Sequence, residues 1–167
     1  MSEADQQVFR FAVDIMLGKL AKWLRVLGFD ATFEPLSDLH KIEALLHDKI
    51  VPVTRREKWR GLEGVLFIRK DHHFAQVGEL ISALGVSRGA LRPFSRCAVC
   101  NTVLVEIPRE LAFGSVPDFI FETASDFRKC PGCGRVYWPG SHKDRMLVML
   151  ESVMAPEEGK EETHGGE

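Results

Sequence analysis

The sequence predicts an α/β fold: a mostly parallel sheet with helices on both faces, followed by a smaller, irregular module. Three observations predict it. Apolar runs of strand length alternate with segments of helical period through the first half of the chain. The helical segments are long enough for the right-handed crossovers that join parallel strands. After Pro93 the alternation stops, and all four cysteines of the 167-residue chain lie beyond that point, as two Cys-x-x-Cys pairs.

In order, Val8 to Val13 reads as an apolar strand running into Asp14. Leu17, Leu20, Ala21, Leu24 and Leu27 then fall at helical spacing, and Gly28 supplies the stop. On the other side of that helix Lys19, Lys22 and Arg25 form a basic stripe, which by itself reads as a solvated face. Phe29 to Phe33 is a second strand, and Ser37, beside Asp38, is the expected N-cap of a helix marked by Leu39, Ile42 and Leu46. Ile50 to Thr54 is a third strand. Its Pro52 cannot donate to a ladder, so an edge or a bulge is expected there. Val65 to Ile68 is a fourth strand, and Phe74, Val77, Ile81 and Leu84 mark a third helix ending at Gly85. The reading divides the chain into an α/β domain over 8–92, a cysteine module with a closing helix over 93–154, and an acidic tail over 155–167 expected to be disordered.

Cys97, Cys100, Cys130 and Cys133 are the only cysteines. A two-residue spacer lets one tight turn aim two sulfurs at a single ion, and four thiolates suit tetrahedral zinc. Such a site has no open coordination position, so its zinc is structural. The long stretch between the pairs implies an inserted hairpin or helix. No basic, apolar leader is evident and no run is long enough to cross a bilayer, so a cytoplasmic, non-membrane protein is expected, where thiols bind metal more readily than they form disulfides.

Chemistry must then be sought elsewhere. In open parallel sheets the working site lies at the carboxyl ends of the strands. There the sequence puts Asp14, Glu34, Asp38, Glu57 and Asp71. Gathered at one rim, they would hold Mg²⁺ or Mn²⁺; taken singly, each also fits the acid commonly found at a helix start. Gly18-Lys19 lacks the first glycine and the Ser or Thr of a phosphate loop, and there is no GxGxxG, so the sequence does not point to nucleotide triphosphate chemistry. The formal net charge is -2, but the two chain ends carry a net -6 between them, which leaves the body at +4 and suited to a polyanion.

The run Asp14 to Arg25, followed by Gly28, Val53-Thr54-Arg55, Pro93 to Cys97 and Cys130 to His142, resembles the Mut7-C family from about Phe11 to Met146. That resemblance implies a PIN-like three-layer α/β/α ribonuclease domain joined to a zinc ribbon, with metal-dependent cleavage of RNA. It makes Asp14 and Asp38 divalent-metal ligands, gives Thr54 a place within the acidic site, and lets Arg55 contact phosphate. The family aspartate expected after Thr-Arg is Arg56 here, with Glu57 one position later and Asp71 as a further acid. Arg56 in a nest of carboxylates would stand in for a metal's charge. Lys19, Lys22, Arg25, Arg55 and Arg96 would draw in the RNA backbone. The rival expectation is an RNA-binding or partner-binding module that keeps the scaffold without turnover. The sequence leaves the oligomeric state open.

Overall fold

The computed structural model describes residues 8–154; the segment through Gln7, the acidic tail from Ala155 and the side chains of Ser141 and His142 lie outside the described residues. Four strands form one parallel sheet: β1 (Arg10–Asp14), β2 (Asp30–Glu34), β3 (Val51–Thr54) and β4 (Leu66–Phe67), in the order β2-β1-β3-β4. The first two connections are α1 (Gly18–Val26, after a 3₁₀ turn at Ile15–Leu17) and α2 (Leu39–His47). From β1 to β2 the chain moves one way along the sheet and from β2 to β3 the other way. Right-handed crossovers therefore put α1 and α2 on opposite faces.

Strand alternation divides the residues accordingly. Phe11, Val13 and Val53 join Leu20, Leu24, Val77 and Leu80 in the main core cluster, between the sheet and α1 and α3 (His73–Leu84). Ala12 and Thr54 fall outside that cluster although they are buried, as is Ile42 of α2. Fully burying one such Leu or Val contributes about 1.5–3 kcal/mol, so this cluster dominates the stability of the body.

Pro52 does not lie at an edge, contrary to the sequence expectation, because β3 runs between β1 and β4. Its tolerance has a local cause. The Thr54 carbonyl accepts from Ile68 N–H at 2.9 Å, so by alternation position 52 also faces the β4 side. β4 begins only at Leu66, opposite Val53, so no strand partner stands level with Pro52. The four-residue fourth strand expected from the sequence is accordingly a two-residue ladder.

The second sheet is antiparallel, with order β5-β6-β7: β5 (Val105–Ile107), β6 (Phe127–Lys129) and β7 (Val136–Tyr137). A short helix, α4 (Asp118–Thr123), lies between β5 and β6, so both a strand pair and a helix occupy the insertion. The closing helix α5 (Ser141–Met154) packs against α3 and places Met146, Met149 and Leu150 in the main core.

Gly28 fixes how the two sheets join. Its φ is +97°, and a Cβ there would lie 2.3 Å from the Arg92 carbonyl oxygen. The bare backbone lets the segment leaving the α/β body cross the end of α1, where Arg92 and Phe94 N–H groups donate to Leu27 and Val26 carbonyls, each at 2.9 Å.

Candidate functional site

Asp14 ends the central strand β1 and is wholly buried. A buried carboxylate must be paired or hydrogen-bonded. Donors arrive from four residues in three stretches of chain. Ile15 N–H donates at 2.9 Å, Leu36 N–H at 3.4 Å, Thr54 Oγ1 at 2.7 Å and Arg56 Nε at 2.8 Å. The second Arg56 nitrogen, Nη2, reaches the other carboxylate oxygen at 3.4 Å. Burial raises the Asp14 pKa, but hydrogen bonds from Arg56, Thr54 and the Leu36 amide outweigh it and hold the group below the usual carboxylate range. Thr54 in turn accepts from Arg56 N–H at 3.0 Å, which fixes the turn that aims the guanidinium.

The other rim acids are held by separate partners. Asp38, and not Ser37 as the sequence suggested, caps α2 by accepting from His40 N–H at 2.9 Å. Glu57 pairs with Arg60 at 2.9 Å, Asp71 with Arg55 at 2.6 Å, and Glu34 with Lys41 at 2.7 Å. Asp71 is 93% exposed, so its pair contributes little to stability. Among the described residues, the one group of three or more Cys, His, Asp or Glu close enough to share an ion is the four cysteines. The rim acids expected for Mg²⁺ or Mn²⁺ do not come close enough to share an ion among the described residues, and the Arg56 guanidinium lies beside Asp14.

Of the basic residues, Lys19 and Lys22 are exposed on α1. Arg25, read as part of a solvated stripe, instead reaches back into the protein. Its Nε donates to the Ala31 carbonyl at 2.8 Å, and Nη1 donates to the carbonyls of Val99 at 2.9 Å and Ala98 at 3.2 Å. Arg96 donates to the Asn101 carbonyl at 2.7 Å.

The two cysteine turns are built alike. Cys97 N–H donates to Thr102 O at 2.8 Å and Asn101 N–H to Cys97 O at 3.0 Å; Cys130 N–H donates to Arg135 O at 2.9 Å and Gly134 N–H to Cys130 O at 2.8 Å. Each turn needs a left-handed residue four positions after its first cysteine. Gly134 (φ +77°) supplies one, and Asn101 (φ +66°), of a residue type that tolerates this region, supplies the other. Asn101 also ties its turn to the open edge of β2. Its side-chain oxygen accepts from Ala31 N–H at 3.1 Å and its amide donates to Asp30 at 2.7 Å. Nothing in the sequence reading singled out that link.

The four sulfurs lie within 4.8 Å of one another, with Cys97 and Cys133 3.7 Å apart. A tetrahedron with metal–sulfur bonds of about 2.3 Å has edges of about 3.8 Å, so the set could hold a metal such as zinc. Crowded thiols without a cation cannot all ionise. Cys100 is held down to about 6, first by the Thr102 hydroxyl and then by Cys130, while burial and the Cys100 thiolate push Cys130 up to about 11. A divalent ion removes that conflict. Tyr137 Oη lies 3.0 Å from Cys97 Sγ and orients it.

A model of the Mut7-C RNAse domain matches residues 9–150. The chain belongs to the Mut7-C RNAse domain family. The Mut7-C match covers Asp14, Thr54 and all four cysteines, so the parallel sheet and the cysteine ribbon fall within one family unit. No match was found among curated proteins or among solved structures. No helix among the described residues is long and apolar enough to cross a membrane.

Proposed function

We propose that this chain works on RNA as a ribonuclease-type domain centred on Asp14, with its phosphodiester chemistry weakened by Arg56. The observation that carries the reading is the 2.8 Å contact between Arg56 Nε and the buried Asp14 carboxylate, in a chain of a ribonuclease family. The rim residues as arranged do not fit Mg²⁺ or Mn²⁺: both Asp14 oxygens already accept from a cation, and Asp38, Glu57 and Asp71 are engaged elsewhere. What remains is attraction for the RNA backbone, through Lys19, Lys22 and Arg55 around the rim. The ribbon, with zinc on Cys97, Cys100, Cys130 and Cys133, is structural and adds no hydrolytic step.

One observation favours a second reading, a metal-dependent ribonuclease. The Arg56 side chain is 28% exposed, so it can swing out toward solvent and release an Asp14 that is already ionised. Glu34 stands level with Asp14 on β2, and Asp38 follows it in the next loop. A nuclease assay on RNA and DNA with added Mn²⁺ separates the two. The first reading expects RNA binding by the zinc-loaded chain that needs no added Mg²⁺ or Mn²⁺, slow cleavage by the natural chain, and at least tenfold faster cleavage after Arg56→Asp. Fast Mn²⁺-dependent cleavage by the natural chain, lost in Asp14→Asn, establishes the second. A chain that binds no RNA overturns both.

A further inference from the structure

A cavity of about 600 Å³ opens between α1 and the ribbon. That volume lies within the ~300–1,000 Å³ of pockets that enclose small organic ligands. Lys22 and Trp23 line it from α1, and Arg96, Arg135, Tyr137 and Trp138 line it from the ribbon. Among the described residues no Asp or Glu lines it, so within them three cations face it without an opposing carboxylate.

The three rings are half-buried, each packed on one side. Trp23 is backed by Phe74 at 4.9 Å and His73 at 6.4 Å between ring centroids. Tyr137 is tethered through its hydroxyl to Cys97 Sγ, and Trp138 packs against the smaller core around Phe127. Rings fixed in this way lose little entropy when a flat group stacks on them. Arg96 is anchored by the Asn101 carbonyl through Nη1, and its buried Nε has no hydrogen-bond partner among the described residues.

Fixed aromatic faces beside unopposed cations are what unpaired nucleotides need: π-faces for bases and positive charge for phosphates. We propose that this groove binds single-stranded RNA, with bases stacking on Trp23, Tyr137 and Trp138 and phosphates pairing with Lys22, Arg96 and Arg135. The inference rests on the reading that the chain acts on RNA, and adds the form of the substrate. A duplex keeps its bases stacked inside and has no use for three rings. An acidic protein segment matches the cations but leaves the rings idle. The groove also lies close to the rim, since Lys22 is only about 6 Å along α1 from Gly18, where the helix begins just past Asp14.

The test uses the full-length, zinc-loaded chain and fluorescence anisotropy with a labelled oligouridylate, a duplex RNA of equal length, and polyglutamate as competitor. Lys22→Glu with Arg135→Glu changes two exposed positions, and circular dichroism with zinc content verifies its fold. The double variant is expected to lose at least tenfold in affinity and to flatten the log–log salt dependence by about 2. Ultraviolet crosslinks to oligouridylate are expected on Trp23, Tyr137 or Trp138. Unchanged affinity in the double variant, preference for duplex, or displacement by polyglutamate with crosslinks elsewhere overturns the proposal. If RNA is bound and cleaved while charge reversal has no effect, the groove fails and the RNA reading stands. If the natural chain binds no RNA, both fall.

Discussion

The rim of the parallel sheet and the cysteine ribbon pose the same electrostatic problem and solve it differently. At the rim, a buried carboxylate is neutralised from within the chain, by Arg56. In the ribbon, four sulfurs converge closely enough to hold a metal such as zinc. The first site is complete as folded, whereas the second has the geometry to take an ion from outside. Stability at the rim therefore belongs to the sequence, whereas a metal held by the ribbon would add its binding free energy to the ribbon's stability.

The largest expected effect is on the ribbon. One zinc per chain is expected by metal analysis, and chelation should open β5 to β7 to amide hydrogen exchange while β1 and β3 stay protected. Structural zinc in small modules contributes about 10–16 kcal/mol of apparent binding free energy, so a ribbon that stays protected without metal breaks the contrast outright.

At the rim, Asp14→Ala strands a guanidinium and three further donors, and urea titration should read a loss of about 3–5 kcal/mol. Arg56→Met leaves Asp14 with Thr54 and two amides, and Arg56 is partly exposed; about 1–2 kcal/mol is expected. Equal costs for the two would mean that the pair acts through packing and not through charge.

Acid sharpens the same point. Asp14 titrates below the unfolded value of about 3.9, so its stabilisation is complete above that pH and is lost as the pH falls through the depressed folded value. Arg56→Met removes a leading cause of the depression and should move the acid unfolding midpoint upward. An unmoved midpoint would show that Thr54 and the amides suffice.

The smallest effect concerns the join between the regions. Asn101→Gly keeps the left-handed backbone but deletes the bonds to Asp30 and Ala31, at about 1–2 kcal/mol; Asn101→Ala adds about 1 kcal/mol of backbone strain. Thermal melts of the two variants separate the tether from the turn.

The alternation of strands and helices was legible because period 2 and period 3.6 are local properties of the chain. The cysteine set was legible for the same reason, since its ligand spacing is short. What could not be read was partner choice across long separations. Arg25 looks like any exposed helix cation, yet it turns toward carbonyls more than 70 residues away. Asp38, Glu57 and Asp71 sit where a rim cluster needs them in sequence, but a nearby base or amide captured each one first. Arg56 was recognisable as out of place, and its contact with Asp14 became visible only in three dimensions. Pro52 misled because an interior strand can still lack a neighbour at one level.

The return of α5 to α3 has a consequence for dissecting the molecule. Both roots of the ribbon are sunk in one core, at Arg92–Phe94 against α1 and at Met146–Leu150 against α3. Truncation after the third helix would remove Met146, Met149 and Leu150 from the shared core, expose the α3 face that α5 packs on, and yield an aggregating fragment. A soluble body is better sought by excising the loop between these roots and resealing it with a short linker, which keeps the final helix in place.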